Sequence, residues 1–126
     1  MSEHRFPFEK LQVWHLAKDF AKQVYCLTCD FPAAERYGLT SQINRAAVSV
    51  MSNLAEGSAR TSRKDQAHFS QISYSSLMEA ACQWQLAQEL DFFSVERYNE
   101  FRMIILDLAA KINALRRLQI GNREQT

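Results

Sequence analysis

The amino-acid sequence predicts an all-α fold, an up-down-up-down antiparallel four-helix bundle that forms one domain over residues 1–126. Apolar residues recur three and four positions apart along four long segments, which is the spacing of one face of an α-helix. The chain contains only 3 Gly and 2 Pro, too few for the many tight turns of a β-sheet protein. Four long helices with short connections are typical of an antiparallel bundle.

A connection that contains both Pro32 and Gly38 separates the first two predicted helices. The first helix is predicted over about residues 8–29, and it ends before the proline. The second helix is predicted over about residues 40–59. Thr40 is its predicted N-cap, because a threonine hydroxyl can accept a backbone N–H of the first turn.

Serine residues mark the starts of the third and fourth predicted helices. Ser62 is the predicted N-cap of a third helix over about residues 63–90, and Ser94 that of a fourth over about residues 94–118. In the fourth helix, apolar residues alternate three and four positions apart, as in the seam of a helix bundle. The segment 119–126 is predicted to fray as a C-terminal tail.

The predicted topology separates the charges of the chain, although its formal net charge is only +1. One end of the bundle collects nine cationic residues: Arg5, Lys10, Arg60, Arg63, Lys64, Lys111, Arg116, Arg117 and Arg123. Acidic residues dominate the opposite end. Two interpretations remain open: the cations complement the helix macrodipoles, or they form a surface that attracts phosphates. In the second interpretation, the candidate nucleic-acid contacts are Arg60, Arg63, Lys64, Arg116 and Arg117.

A row of polar residues runs along the second helix within about a third of its circumference. Its members are Gln42, Arg45, Ser49, Ser52, Asn53, Glu56 and Arg60. Serine and asparagine are poor choices for an exposed helix interior, so contact with another surface explains them better than solvent does. The third helix offers polar partners at matching spacing: Ser73, Ser76, Glu79 and Gln83.

We therefore expect a polar seam that is buried in the bundle or in a subunit interface and that serves assembly. Its predicted members are Gln42, Arg45, Ser49, Ser52, Asn53, Glu56, Ser76, Glu79 and Gln83. Arg45 and Arg60 are expected to pair with Glu79 and Glu56, respectively. A plain solvated face and a catalytic or ligand site are the alternative interpretations.

The sequence predicts no enzyme, cofactor or metal site. Cys26 and Cys29 form a single C-x-x-C without the further ligands of a zinc site, so we expect these thiols and that of Cys82 to be buried and reduced. No nucleophile elbow, phosphate-binding glycine loop or H-E-x-x-H motif occurs. We expect no membrane-spanning segment and no signal peptide, and hence a cytoplasmic protein.

The segments "FEKLQVWHLA", "SLMEA" and "LAQELDF" accompany a longer motif, "FP..E.YGLTSQI.RAA.S...N.AEG". With these motifs the chain resembles the four-helix bundle proteins encoded by intervening sequences of bacterial 23S ribosomal RNA genes. Ten residues occupy the motif positions: Pro32, Glu35, Gly38, Leu39, Gln42, Arg45, Ser49, Asn53, Glu56 and Gly57. The resemblance implies a homopentameric ring and no catalytic role. It also extends to accessory proteins of diversity-generating retroelements, which bind nucleic acid and a reverse transcriptase.

Two functional hypotheses follow. The first is a non-enzymatic homo-oligomer that binds RNA or DNA through the basic end of the bundle. The alternative is a scaffold that docks a partner enzyme or ribonucleoprotein. Exposed aromatic residues would then be the anchors of that scaffold, and the candidates are Phe6, Phe8, Trp14, Phe92 and Phe93.

Overall fold

The computed structural model describes residues 4–124. Four α-helices make up the fold: α1 Gln12–Thr28, α2 Leu39–Ser58, α3 Arg63–Glu89 and α4 Val95–Glu124. Two short 3-10 helices, Pro7–Lys10 and Ala33–Glu35, precede α1 and α2. The described residues contain no β-strand, and the predicted all-α four-helix class is confirmed.

Hydrogen bonds between side chains show that α2 and α3 run antiparallel. Near the start of α2, the Gln42 carbonyl oxygen accepts a bond of 3.1 Å from the amide nitrogen of Gln83, near the end of α3. Midway along both helices, the hydroxyls of Ser49 and Ser76 lie 2.8 Å apart. The two sequence numbers add to 125 in both pairs, so the helices stay in register along their length.

The remaining helices alternate in the same way. The Thr28 hydroxyl at the end of α1 donates to the Asn44 side-chain oxygen near the start of α2, at 2.9 Å. The Ser70 hydroxyl near the start of α3 donates to the Gln119 side-chain oxygen near the end of α4, also at 2.9 Å. At the other end of the bundle, Leu11 before α1 and Gly57 near the end of α2 line the same depression, so each helix runs antiparallel to the next, which is the up-down-up-down order.

One apolar core fills the space between the helices. Its largest fully buried side chains come from all four helices: Phe20, Ile43, Leu54, Leu77, Trp84, Leu108 and Ile112. The Trp84 ring lies 4.3 Å from that of Phe93 and 4.5 Å from that of Phe101, between ring centroids. Aromatic rings therefore close the core at the end of the bundle where α3 connects to α4.

Helix α1 begins later than the predicted residue 8. Pro7 favours the short 3-10 helix Pro7–Lys10, in which the Glu9 carboxylate accepts the backbone N–H of Phe6 at 2.7 Å. Leu11 is extended (φ −93°, ψ 115°) and interrupts the helical path, so α1 starts at Gln12.

Helix α2 is capped by a residue other than the predicted Thr40. It begins at Leu39, whose backbone N–H donates to the Glu35 carboxylate at 3.1 Å. The Gly38 backbone allows this contact, because a Cβ at that position would lie 3.0 Å from the same carboxylate oxygen. An acidic group at this position also complements the positive end of the helix dipole.

The two predicted serine caps are confirmed. The Ser62 hydroxyl accepts the Asp65 backbone N–H at 3.0 Å, and the Ser94 hydroxyl accepts the Arg97 backbone N–H at 3.1 Å. Helix α4 then continues through Glu124, past the predicted end at residue 118. Packing explains part of this extension, because Gln119 bonds to α3. Residues 125 and 126 of the predicted tail lie outside the described residues.

Candidate nucleic-acid interface

A depression of about 290 Å³ lies at the predicted basic end of the bundle. The 3-10 helix before α1, the end of α2, the start of α3 and the end of α4 all contribute to its walls. Leu11, Leu54 and Leu115 are among its apolar lining residues. Arg63 also lines it, so one candidate nucleic-acid contact lies directly at this depression.

The cationic side chains near the depression are mostly accessible. Arg60, Arg63 and Lys64 are exposed and occupy the connection between α2 and α3 and the first turn of α3. Arg116 is half-buried on α4. Arg117 is exposed, but it lies two positions from both Leu115 and Gln119, and therefore on the face of α4 opposite to the depression.

Arg60 is held by its neighbours. Its guanidinium nitrogen lies 3.4 Å from the Glu56 carboxylate, as the sequence predicted, and its guanidinium carbon lies 4.7 Å from the centroid of the Phe69 ring. Both charged side chains of the pair are about half exposed, so this ion pair adds little to stability. The contacts instead fix the direction of the guanidinium group.

Four of the five candidate contacts have no acidic partner among the side chains that the structure describes. Within the side chains described through residue 121, the one other ion pair joins Lys111 to Asp107 at 2.6 Å. Over that region, the unpaired candidates are Arg63, Lys64, Arg116 and Arg117. An unpaired surface cation can bind an anion without first giving up an internal partner.

The polar seam lies in part within the chain, between α2 and α3. Besides its contact with Ser76, Ser49 receives bonds from the Asn53 amide nitrogen at its carbonyl oxygen (2.8 Å) and at its hydroxyl (3.0 Å). Ser73 is completely buried, and its hydroxyl donates to the Val50 carbonyl oxygen at 2.8 Å. Small side chains therefore bring the two helices together, and the hydroxyls of Ser49, Ser73 and Ser76 all have hydrogen-bond partners.

The first turns of α2 extend the polar seam towards solvent. The Gln83 amide nitrogen donates to Gln42 and, at 3.3 Å, to Glu79. Arg45 and Glu79 line the same polar depression of about 200 Å³, but they do not form the predicted ion pair. Ser52 and Glu56 are exposed on α2. Gln42 and Ser49 of the predicted row therefore bond to α3, whereas Ser52 and Glu56 are exposed and form no bond to α3.

The aromatic anchors predicted for a protein-docking surface are largely part of the fold. Trp14 is only 8% exposed. Phe92 and Phe93 pack on Phe31, with ring centroids 5.3 and 6.1 Å away. Phe8 is half-buried, and Phe6 alone of the five predicted anchors is exposed. Packing at the corners of the bundle explains why the other four predicted anchors are buried or half-buried.

Two tyrosines that the sequence analysis did not select are exposed instead. Tyr37 is 90% exposed, and Tyr25 is 49% exposed. Both line a shallow depression of about 580 Å³ together with Arg36 and Arg45. The sequence did contain a signal for the exposure of Tyr37, because this residue lies next to Gly38 in the connection between two helices.

The cysteines differ from their prediction. Cys26, Cys29 and Cys82 carry free thiols, but all three are exposed, whereas we expected buried side chains. The apolar face of α1 excludes the first two, because Val24 and Leu27 occupy its buried positions. No group of three or more His, Cys, Asp or Glu in the described part of the chain is arranged to hold a metal ion.

The geometry defines a class of protein: a small antiparallel four-helix bundle with a polar α2–α3 contact and a cationic end. The chain belongs to the 23S rRNA-intervening sequence protein family, whose sequence profile matches residues 9–114. The family predicted from the motif of the second helix is therefore confirmed. A search of curated proteins found no matching relative. No helix in the described region is both long and apolar enough to cross a bilayer.

Proposed function

We propose that this protein is a non-enzymatic, ring-forming homo-oligomer that binds RNA or DNA in the cytoplasm through the basic end of its bundle. The observation that carries the proposal is the group of accessible cations at the end of the bundle that contains the depression. Arg63 lines that depression, Lys64 follows it in α3, and neither has an acidic partner in the described region. The phosphate backbone of a nucleic acid is the polyanion that such a surface fits best.

Assembly into a ring would strengthen a weak phosphate surface. Several basic ends would face one nucleic acid, and each contact after the first would form at a high effective concentration. The resemblance to the family implies five copies. The outer face of α4 supports self-association, because Met103 and Leu106 are 68% and 52% exposed and Ala110 lies on the same face.

Binding to nucleic acid is tested by titrating a structured ribosomal RNA fragment and a duplex DNA of equal length. If the four candidate cations other than Arg117 contact duplex phosphates, raising the salt concentration from about 50 to about 200 mM weakens binding roughly 150-fold. The test variant carries both Arg63→Glu and Lys64→Glu. It should bind at least about tenfold more weakly and show a shallower salt dependence.

A matched control makes the same charge change at the opposite end of the bundle. Arg97→Glu with Arg102→Glu also replaces two exposed cationic residues of one helix with glutamate. This control should bind as the unmodified protein does. Equal losses in both variants would show a response to net charge alone and would contradict the assignment to the basic end.

Self-association is tested by light scattering coupled to size-exclusion chromatography. The variant Met103→Lys with Leu106→Lys should shift the mass towards that of a single chain, because it charges the apolar face of α4. Gln85→Lys, at an exposed position of α3, is the control and should leave the mass unchanged. A monomeric unmodified protein would contradict this part of the proposal.

A protein-docking scaffold is the second candidate function, and one observation favours it. The depression beside α2 presents the exposed Tyr25 and Tyr37 together with Arg36 and Arg45. Tyrosine and arginine are the residue types enriched at the centres of protein interfaces. Salt separates the two functions, because phosphate binding weakens steeply with added salt and docking through aromatic residues does not.

A further inference from the structure

The depression at the basic end has the composition of a small-ligand site, with apolar walls and a few polar groups. Leu54, Leu115 and Leu118 contribute apolar surface, whereas Gln66, Ser70 and Gln119 contribute amides and a hydroxyl. Its volume of about 290 Å³ lies at the lower limit of the sites that hold drug-sized ligands, about 300 to 1,000 Å³. The depression therefore suits one flat ring system better than a larger molecule.

The side-chain amides of Gln66 and Gln119 each use one group in a hydrogen bond within the protein. One acceptor and one donor therefore remain available to a ligand. The Gln66 amide nitrogen donates to the Arg60 carbonyl oxygen at 2.9 Å, so its own carbonyl oxygen can accept. The Gln119 oxygen accepts the Ser70 hydroxyl at 2.9 Å, so its amide nitrogen can donate. Neither remaining group has a partner among the described residues. Ser70 is 3% exposed, so its bond to the Gln119 oxygen is shielded from water.

A nucleobase matches this combination of groups. Its two faces are flat and favour apolar contact, and its Watson–Crick edge presents neighbouring donors and acceptors. Its attached phosphates would lie outside the depression, where Arg63, at the rim, and Lys64 carry positive charge.

We propose that the depression binds a single unpaired nucleobase of the bound nucleic acid, with Gln66 and Gln119 contacting its edge. This inference rests on the proposed nucleic-acid function. It adds that the protein prefers nucleic acids with an unpaired base. A base inside a perfect duplex is stacked and paired, so it enters the depression only after unstacking. A bulged or single-stranded base is available without that cost.

The test compares one perfectly paired RNA hairpin with four labelled hairpins of equal length that each carry a single bulged nucleotide, one for each base, by fluorescence anisotropy at low salt. A non-nucleotide linker closes every hairpin, so that no loop base is unpaired. At least one bulged hairpin should bind about tenfold more tightly than the paired one, because its base can form hydrogen bonds with both amides and cover apolar surface. Equal binding of all hairpins would overturn the base site while leaving phosphate binding intact. Absence of binding to any of them would overturn both proposals.

Substitutions of the two glutamines test whether this depression causes the preference for a bulged base. Gln66→Leu and Gln119→Leu should bind the paired hairpin as the unmodified protein does and should lose the preference for the bulge. Gln85→Leu, at an exposed position of α3 away from the depression, is the control and should keep it. A preference that survives both amide variants would overturn the assignment to this depression, and circular dichroism verifies that each variant is folded.

Competition with free nucleoside monophosphates tests whether the occupant of the depression is a base within a nucleic acid or a free nucleotide. We expect them to compete only at concentrations far above the Kd of the bulged hairpin, because they lack the flanking phosphates. Competition near that Kd would overturn the proposal of a polymer-bound base and identify a free nucleotide as the occupant.

Discussion

Gly57 of α2 lies against Phe69 of α3 so closely that a Cβ on residue 57 would be 3.0 Å from the Phe69 Cβ. The same Cβ would be 3.4 Å from the Gln66 carbonyl oxygen. This contact sets the distance between α2 and α3 beside their connection. Because the Phe69 ring also contacts Arg60, the glycine helps to position the basic end.

We expect Gly57→Ala to destabilise the protein. Alanine favours a helix by up to about 1 kcal/mol over glycine, but crowding in a packed interface costs about 1 to 3 kcal/mol. The net loss in the free energy of unfolding should be about 1 kcal/mol, measured by urea denaturation. Gly121→Ala is the control, because a Cβ there meets nothing within 4 Å. Stabilisation by both substitutions would contradict the close contact.

The completely buried Ser73 leads to a second prediction. Ser73→Val should lower the free energy of unfolding by about 1 to 3 kcal/mol, because it adds volume and removes the bond to the Val50 carbonyl oxygen. Ser75→Val makes the same change at an exposed position of α3 and should alter stability by less than about 0.5 kcal/mol. Urea denaturation of the two variants distinguishes these outcomes, and equal effects would argue against close packing at Ser73.

The hydroxyl pair of Ser49 and Ser76 should be energetically coupled. A double-mutant cycle with Ser49→Ala and Ser76→Ala is expected to give a coupling energy of about 0.5 to 1 kcal/mol, because each single substitution breaks the same bond. Ser52, exposed on the same helix, supplies the control cycle with Ser76 and should show no coupling. A value near zero for both cycles would mean that the seam contributes no pairwise stability.

Asp91 has a left-handed backbone (φ 63°) at the end of α3. The Asp91 N–H donates to the Gln88 carbonyl oxygen, and the Phe92 N–H donates to the Ala87 carbonyl oxygen. These two bonds are the pattern of a Schellman motif. Asp91→Gly should raise the free energy of unfolding by about 0.5 to 1 kcal/mol, because glycine adopts this conformation without strain. Asp91→Val should lower it by about 1 to 2 kcal/mol.

Asp91→Asn separates backbone strain from charge. Asparagine also tolerates the left-handed region, but it removes the negative charge from the C-terminal end of the helix dipole. A small stabilisation, below that of Asp91→Gly, is the expected result in thermal and urea denaturation. If valine were tolerated as well as glycine, the left-handed conformation would not be present in solution.

The sequence alone determined the existence and order of the helices. Helical periodicity, the caps at Ser62 and Ser94 and the short connections are local features, so they act before the helices pack. The motif that begins at Pro32 and runs through α2 was likewise sufficient for the family. Cationic residues could be assigned to one end of the bundle because antiparallel order follows from short connections.

Only the tertiary structure decided which side chains meet. Glu35 replaces Thr40 as the cap of α2, and Ser49 pairs with Ser76 within the chain while Arg45 and Glu79 do not pair. The depression at the basic end is formed by parts of the chain that are distant in sequence. The physical reason is that each of these contacts depends on the distance and rotation between packed elements. Periodicity specifies the buried face of a helix, but it does not specify the neighbour that each residue contacts.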